Sequence, residues 1–335
     1  MTLGIAVFGT GRWGVHLIRN FQQHPDSRVV AAVDPNSHRL KEIQQQFNLG
    51  SEVLVTNNWL EAMEMSGIDA VAIATPASTH YNLIKEALNR GYHVFAEKPL
   101  TLDYHESLEL CQLAEKQRRQ LFVDRTYLFH PAVEGGKNAV AGGKLGELRY
   151  GYATRTHLEP VRQDVDALWD LAIHDLCIFN SWLGETPTRV RASGTAWLPN
   201  GGLSDLVTAK LIYPSGFQAF LHLCWLNPDK QRRLAVVGSE GTLIFDEMSP
   251  ETPLTLQRGH LEKNGDRWKA AAGQSLEVVA IEKAEPLAKV CDRFLNLVRE
   301  TSPASYSDEA GVELVKILCG LSESLQQGGE IIQLL

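Results

Sequence analysis

The stretch LWDLAIHDL, residues 168–176, places three ionisable groups in an otherwise apolar helical run. Such groups are costly to bury unless they are paired or used. Asp170 and His174 stand at i and i+4 and therefore share one helix face. A carboxylate so placed can orient or tune the imidazole, or the two can grip one substrate hydroxyl together. Asp175 lies off that face and reads as a structural partner or a rim residue. A metal centre needs more ligands than an Asp-x-x-x-His pair, and no cluster of His or Cys accompanies it.

A second set is Gly9-Thr10-Gly11-Arg12-Trp13-Gly14, a G-x-G-x-x-G pattern between a strand and a helix. Asp34 ends the next strand, at the distance the dinucleotide fingerprint requires. Gly9 allows the tight turn, Gly11 the close approach of a pyrophosphate, and Gly14 close helix–strand packing. The helix N-terminus offers free N–H groups to phosphate. Asp34 can accept hydrogen bonds from both ribose hydroxyls, whereas a 2′-phosphate would meet like charge. The expected cofactor is NAD rather than NADP. Arg39, one turn on, could soften that preference, but reads more readily as a solvated helix arginine.

A third set follows the fourth and fifth strands. Thr75, Pro76 and His80 leave the C-terminal sheet edge, where ligands bind in such folds, and are expected near the nicotinamide half of the cofactor. Ser78 or Thr79 is expected to cap the next helix. Lys98 ends the apolar strand HVFAE, before Pro99. It reads equally as a surface lysine or as a proton donor and ligand to a substrate oxygen. Glu97 is placed to orient Lys98 or to meet a cofactor hydroxyl.

The elements that must carry these residues are legible. Short apolar runs at 3–9, 28–34, 70–76, 93–99 and 120–127 alternate with helical patterns, including one with Trp13, Leu17, Ile18 and Phe21 on a common face. Alternation of this kind implies parallel strands with right-handed crossovers, a doubly wound α/β sheet. From about residue 145 longer strands dominate, at 146–158, 188–198, 205–226 and 232–248, with hairpin turns at 213–216 and 238–241. They predict an α+β domain with a mostly antiparallel sheet. The expected division is 1–125 and 126–335. Phe220, Cys224 and Leu226 alternate with Leu221, Leu223 and Trp225, so the sheet is apolar on both faces. One helix layer covers one face, and the other is expected to meet a second subunit in a homodimer or homotetramer.

Bulk properties exclude other classes. The net charge of −8 argues against a nucleic-acid partner. No apolar run has the length of a membrane span, and the N-terminus enters a strand without a signal-peptide pattern. The five cysteines are scattered with no CxxC, as expected of reduced thiols in cytoplasm.

GTGRWG, VAIATPASTH, AEKPL and the Asp-x-x-x-His helix, in this order, resemble the glucose–fructose oxidoreductase/inositol dehydrogenase/MocA family along essentially the whole chain. GTGRWGVHLIRNF, HPAV, KLGELRY, RQDVDALWDLAIHDL and WLGETP are similar to its UDP-N-acetylglucosaminuronate 3-dehydrogenases. The resemblance implies a Rossmann domain followed by an open, largely antiparallel sheet. It also implies NAD-linked oxidation or reduction of a sugar or sugar-nucleotide alcohol, with Lys98, His174 and Asp170 as the catalytic group. His174 is then the general base, Lys98 the group that stabilises charge on the same oxygen, and Asp170 the residue that orients His174 or grips a neighbouring hydroxyl. Ile173 stands where the resemblance leads to Pro, and His157 where it leads to Asn. Tyr127, Arg155 and Arg162 are expected substrate contacts, Arg155 being the first choice for an acidic sugar. Within the same family an inositol, an aldose, a dihydrodiol or biliverdin are alternative substrates. A non-catalytic NAD-binding sensor or scaffold is the alternative outside enzymes.

Overall fold

Runs of small and β-branched residues with no polar alternation form strands buried on both faces. In the structure, a computed structural model describing residues 2–199, 201–282, 284–300 and 307–334, five such runs become β1 (Leu3–Phe8), β2 (Ser27–Val33), β4 (Ala70–Ile73), β5 (His93–Ala96) and β6 (Leu121–Val123). Between them lie α1 (Arg12–Gln23), α2 (Ser37–Gln46), α4 (His80–Asn89) and α5 (Tyr104–Gln117). A short strand β3 (Leu54–Thr56) and helix α3 (Trp59–Glu64) complete the crossover from β2 to β4. The sheet order is β3-β2-β1-β4-β5-β6, parallel throughout. The order reverses beside β1, so the crevice for a ligand lies at the C-terminal ends of β1 and β4.

The chain divides into two compact units, Met1–Thr126 with Glu285–Val315, and Tyr127–Ala284 with Lys316–Leu335. The return of Glu285–Val315 to the first unit differs from a simple two-part division. Its cause is α8 (Pro286–Arg299), an amphipathic helix whose Phe294 is fully buried against Phe21, Phe95 and Phe122, with ring centroids 6.3, 5.5 and 6.0 Å away. An apolar surface that large is covered by whichever segment presents the matching stripe, regardless of sequence distance.

The second unit begins with α6 (Pro131–Ala141) and β7 (Leu148–Leu158). A π turn (Leu168–Ala172) then leads into α7 (Ile173–Leu183). The strands β8 (Arg189–Thr195), β9 (Leu206–Ile212), β10 (Gln218–Cys224), β11 (Leu226–Gly238), β12 (Gly241–Asp246) and β13 (Leu254–Arg258) follow. Next come the hairpin β14 (Leu261–Asn264) and β15 (Arg267–Ala270), and then β16 (Ser275–Val278). After α9 (Glu309–Gln326), β17 (Ile332–Gln333) closes one edge. The nine-stranded order is β16-β13-β12-β11-β7-β10-β9-β8-β17, and only β7 and β10 run parallel. Phe179 and Trp182 of α7 are buried, and the Trp182 indole donates to the Val133 carbonyl of α6 at 2.9 Å. The opposite sheet face carries Tyr150 and Phe220, each 43% exposed. Cys224, expected on the same face as Phe220, is buried instead.

Candidate active site

In the first unit, Gly9 turns the chain after β1 with φ +87°. A Cβ there would lie 2.5 Å from the Ala74 carbonyl oxygen, and one at Gly14 would lie 1.8 Å from the Gly9 carbonyl oxygen. Both positions are closed to side chains. A Cβ at Gly11, by contrast, would meet nothing within 4 Å. Gly11 is also the N-cap of α1, with no capping side chain and no acidic residue in the first turn. The first N–H groups of α1 thus remain for an anionic ligand. Thr10 is buried, and its Oγ1 has no hydrogen-bond partner among the described residues. This cradle fits the pyrophosphate of a dinucleotide.

Trp13 stands 41% exposed rather than on the buried face of α1, with the Arg12 guanidinium 5.8 Å from its ring centroid.

Asp34 follows β2 and is 3% exposed. Its Oδ2 accepts the Thr10 N–H and its Oδ1 the Asn36 N–H, both at 2.8 Å. Each oxygen keeps a lone pair for a ribose hydroxyl. Arg39, expected to be a solvated surface residue, reaches to 3.9 Å from Asp34 Oδ2. Replacing Asp34 with alanine removes charge-assisted bonds of about 1.5–3 kcal/mol each. The expected result is at least a ~10-fold loss of NAD affinity relative to NADP, checked by titrating both cofactors; an unchanged ratio refutes the role of Asp34.

His80 is fully buried, with Nδ1 2.8 Å from the Pro99 carbonyl oxygen and Nε2 3.0 Å from that of Thr75. It ties the loop after β4 to the loop after β5. Pro76 is exposed and Thr75 half-buried. Neither Ser78 nor Thr79 caps α4: the Thr79 hydroxyl donates back to the Pro76 carbonyl at 2.8 Å and lies 2.7 Å from Thr75 Oγ1. Glu97 is buried and Lys98 half-buried at the end of β5.

In the second unit, Asp170 lies in the π turn and His174 in the first turn of α7. The sequence pattern predicts one regular α-helix; the structure widens its first turn, as often occurs at functional sites. Asp170 Oδ2 accepts the indole N–H of the buried Trp225 at 3.2 Å. The His174 ring packs on Tyr127, with centroids 4.7 Å apart. Ile173 is 3% exposed, so it fills core on the face away from these groups.

Arg155, expected to be the substrate cation, is 3% exposed. It donates to both Asp175 oxygens, Nη2 to Oδ1 at 2.7 Å and Nε to Oδ2 at 3.3 Å. This buried forked ion pair makes Asp175 the structural partner of Arg155. Tyr127 is likewise committed: its hydroxyl accepts from Arg155 Nη1 at 3.0 Å and donates to Glu247. Arg162 remains about one-third exposed, forked onto Asp164 at 2.7 and 2.8 Å. His157, set aside in the sequence as a mismatch, is 7% exposed, and its Nε2 has no partner among the described residues. Burial lowers its pKa, while the nearby Asp170 charge opposes the shift. Among the described residues no group of three His, Cys, Asp or Glu side chains could hold a metal ion.

The parallel sheet in the order 3-2-1-4-5-6, with its glycine cradle and Asp34, defines an NAD-binding Rossmann protein. Residues 3–125 match the NAD-binding Rossmann domain of an oxidoreductase family, and residues 136–244 match that family's C-terminal domain. The chain belongs to the Gfo/Idh/MocA family of oxidoreductases. It is 27% identical over 286 residues to UDP-N-acetylglucosamine 3-dehydrogenase of Acidithiobacillus ferrooxidans, covering 85% of this chain and 86% of that one. It is 28% identical over 251 residues, 72% of each chain, to scyllo-inositol 2-dehydrogenase (NAD(+)) of Bacillus subtilis. An inositol dehydrogenase homologue of Azotobacter vinelandii, solved with NADH and myo-inositol, shares the fold, with a TM-score of 0.77 at 22% identity over 99% of this chain and 98% of that one.

Proposed function

We propose that this oxidoreductase uses NAD to interconvert a secondary alcohol and a ketone on a sugar nucleotide, with a UDP-linked N-acetyl sugar or its uronic acid as first candidate. The observation that carries the reading is the Asp170–His174 pair. These two groups are fixed by Trp225 and Tyr127 in the unit that matches the family's C-terminal domain. The first unit then serves as the cofactor domain and the second as the substrate domain.

Bound NAD supplies the hydride acceptor. His174 takes the hydroxyl proton as general base. Lys98 donates a hydrogen bond to the same oxygen and stabilises its developing charge. Asp170 holds His174 or a neighbouring hydroxyl. Arg162 replaces Arg155 as the cation for an acidic sugar, because it is the more exposed of the two. The exposed Tyr150 and Phe220 support assembly of copies through the nine-stranded sheet. Among the described residues no helix is long and apolar enough to cross a membrane, and five scattered unbridged cysteines support a cytoplasmic setting.

The test is a thermal-shift and NADH-formation screen with NAD plus UDP-sugars, free sugars and inositols. Ligand-linked stabilisation rises with occupancy. A UDP-N-acetyl sugar is expected to raise Tm beyond NAD alone and to support turnover. Turnover only with an inositol moves the substrate class. Silence across the panel with intact NAD binding favours a sensor or scaffold.

A further inference from the structure

Two carboxyl groups that the proposed chemistry does not use lie beside Lys98. β5 and β6 pair in parallel through Ala96 and Val123, so Glu97 and Asp124 are the next residues on adjacent strands. The Asp124 N–H continues the ladder to the Ala96 carbonyl at 2.8 Å. Neighbouring strands are about 4.8 Å apart, which brings both side chains to one spot at the sheet edge. Glu97 is 6% exposed and Asp124 4%. The Thr126 hydroxyl donates to both Asp124 oxygens, at 2.6 and 2.7 Å, whereas Glu97 Oε1 is buried with no partner among the described residues.

We propose that Glu97 and Asp124 act as a carboxyl pair holding one proton between them, and that its single negative charge positions the Lys98 ammonium at the end of β5. The proposal rests on the reading of Lys98 as the residue that meets the substrate oxygen. Two buried like charges at this spacing cannot both ionise cheaply, so one keeps a proton. The unpartnered Glu97 oxygen is the natural place for it, since Asp124 is already stabilised as the anion by Thr126. Burial, then the Asp124 charge, pushes Glu97 up to about 8. Burial raises Asp124 to about 6 against the Thr126 hydrogen bonds.

Other charged or titratable groups around the pair have other partners or surroundings. Arg125, next to Asp124, is bonded to Asp308. On α8, Cys291 is 1% exposed, and burial together with the two carboxylates holds its thiol well above the usual range. Glu285, at the start of α8, pairs with Arg19. His80 of α4 lies against the Pro99 carbonyl. Lys98 is the cation that opposes the rise of both carboxyls.

The test is the pH dependence of Tm in the full chain for Glu97→Gln, Asp124→Asn, the double variant and Lys98→Met, without ligand and with NAD. A carboxyl raised in the folded state contributes stability that is complete below its ordinary value of 4.5 and is lost as pH rises through about 8. The wild type should therefore lose Tm across that window. Glu97→Gln should lose much less; Asp124→Asn should lose less than the wild type, because Glu97 without the Asp124 charge ionises lower although burial still raises it. The double variant should lose least, but by less than the sum of the two single effects, because the groups are coupled. Lys98→Met should move the loss to higher pH. For turnover, each single carboxyl variant should shift the alkaline limb of kcat down by about one pH unit, the effect of one removed opposite charge. A purely structural role would lower Tm evenly and leave that limb unmoved. Additive effects in the double variant, or no shift in Lys98→Met, overturn the proposal. Normal turnover in a Lys98 variant whose Tm window has moved as expected would overturn instead the assignment of Lys98 to the reaction.

Discussion

Alanine at His174 or at Lys98 is expected to remove most turnover while NAD still binds. Loss of a positioned base costs about 10²–10⁴ in rate, and loss of a group that stabilises a developing oxyanion about 10²–10³. If the proposed roles hold, their losses should not multiply in the double variant. The residues proposed to hold the cofactor are others: the turn at Gly9, the bare N-terminus of α1 and the Asp34 carboxylate. The scaffold behind His174 should also survive, since the Tyr127 hydroxyl keeps Arg155 and Glu247. The measurements are kcat from NADH formation and Kd for NADH. Near-normal kcat in both variants removes the assignment; loss of NADH binding in either means that the substitution reached the cofactor site.

The second large effect concerns stability. Arg155→Met leaves Asp175, 2% exposed in the first turn of α7, as an uncompensated buried charge. Breaking one side of a buried, hydrogen-bonded ion pair costs about 3–5 kcal/mol, a large share of the roughly 5–15 kcal/mol that holds a folded protein. The midpoint of urea unfolding should fall accordingly. Combining Arg155→Met with Asp175→Leu should restore much of the loss, because no charge is then left unpaired. If Arg155 met substrate instead, Arg155→Met would raise KM and leave the unfolding midpoint in place.

What the sequence makes legible, and what it hides, follows the range of the forces involved. The Rossmann half shows because its signals are local. Continuous apolar runs make the parallel strands, and G-x-G-x-x-G reports a steric demand met within six residues. The hairpin at 213–216 shows for the same reason. β14 to β16 carry no such signal, since their side chains are all exposed and no core imposes a period on them. The Asp170–His174 pair is visible through spacing, but the π turn is not, because a wider turn keeps the two groups on nearly the same side. The partner of Arg155 is hidden because it lies 20 residues away; a cation on a strand looks alike whether it waits for a ligand or is already engaged. Asp124 and Glu97 become neighbours only through strand register, and Glu285–Val315 joins the first unit through Phe294.

The position of Trp13 has a practical side. An indole that stays out of the core, two residues past Gly11, sits beside the phosphate cradle. Reduced nicotinamide cofactors absorb where tryptophan emits, so occupancy of the cradle is readable as quenched indole fluorescence and sensitised dinucleotide emission. The chain thus carries its own optical gauge of cofactor loading, one that needs neither label nor turnover and serves equally for variants that have lost the reaction.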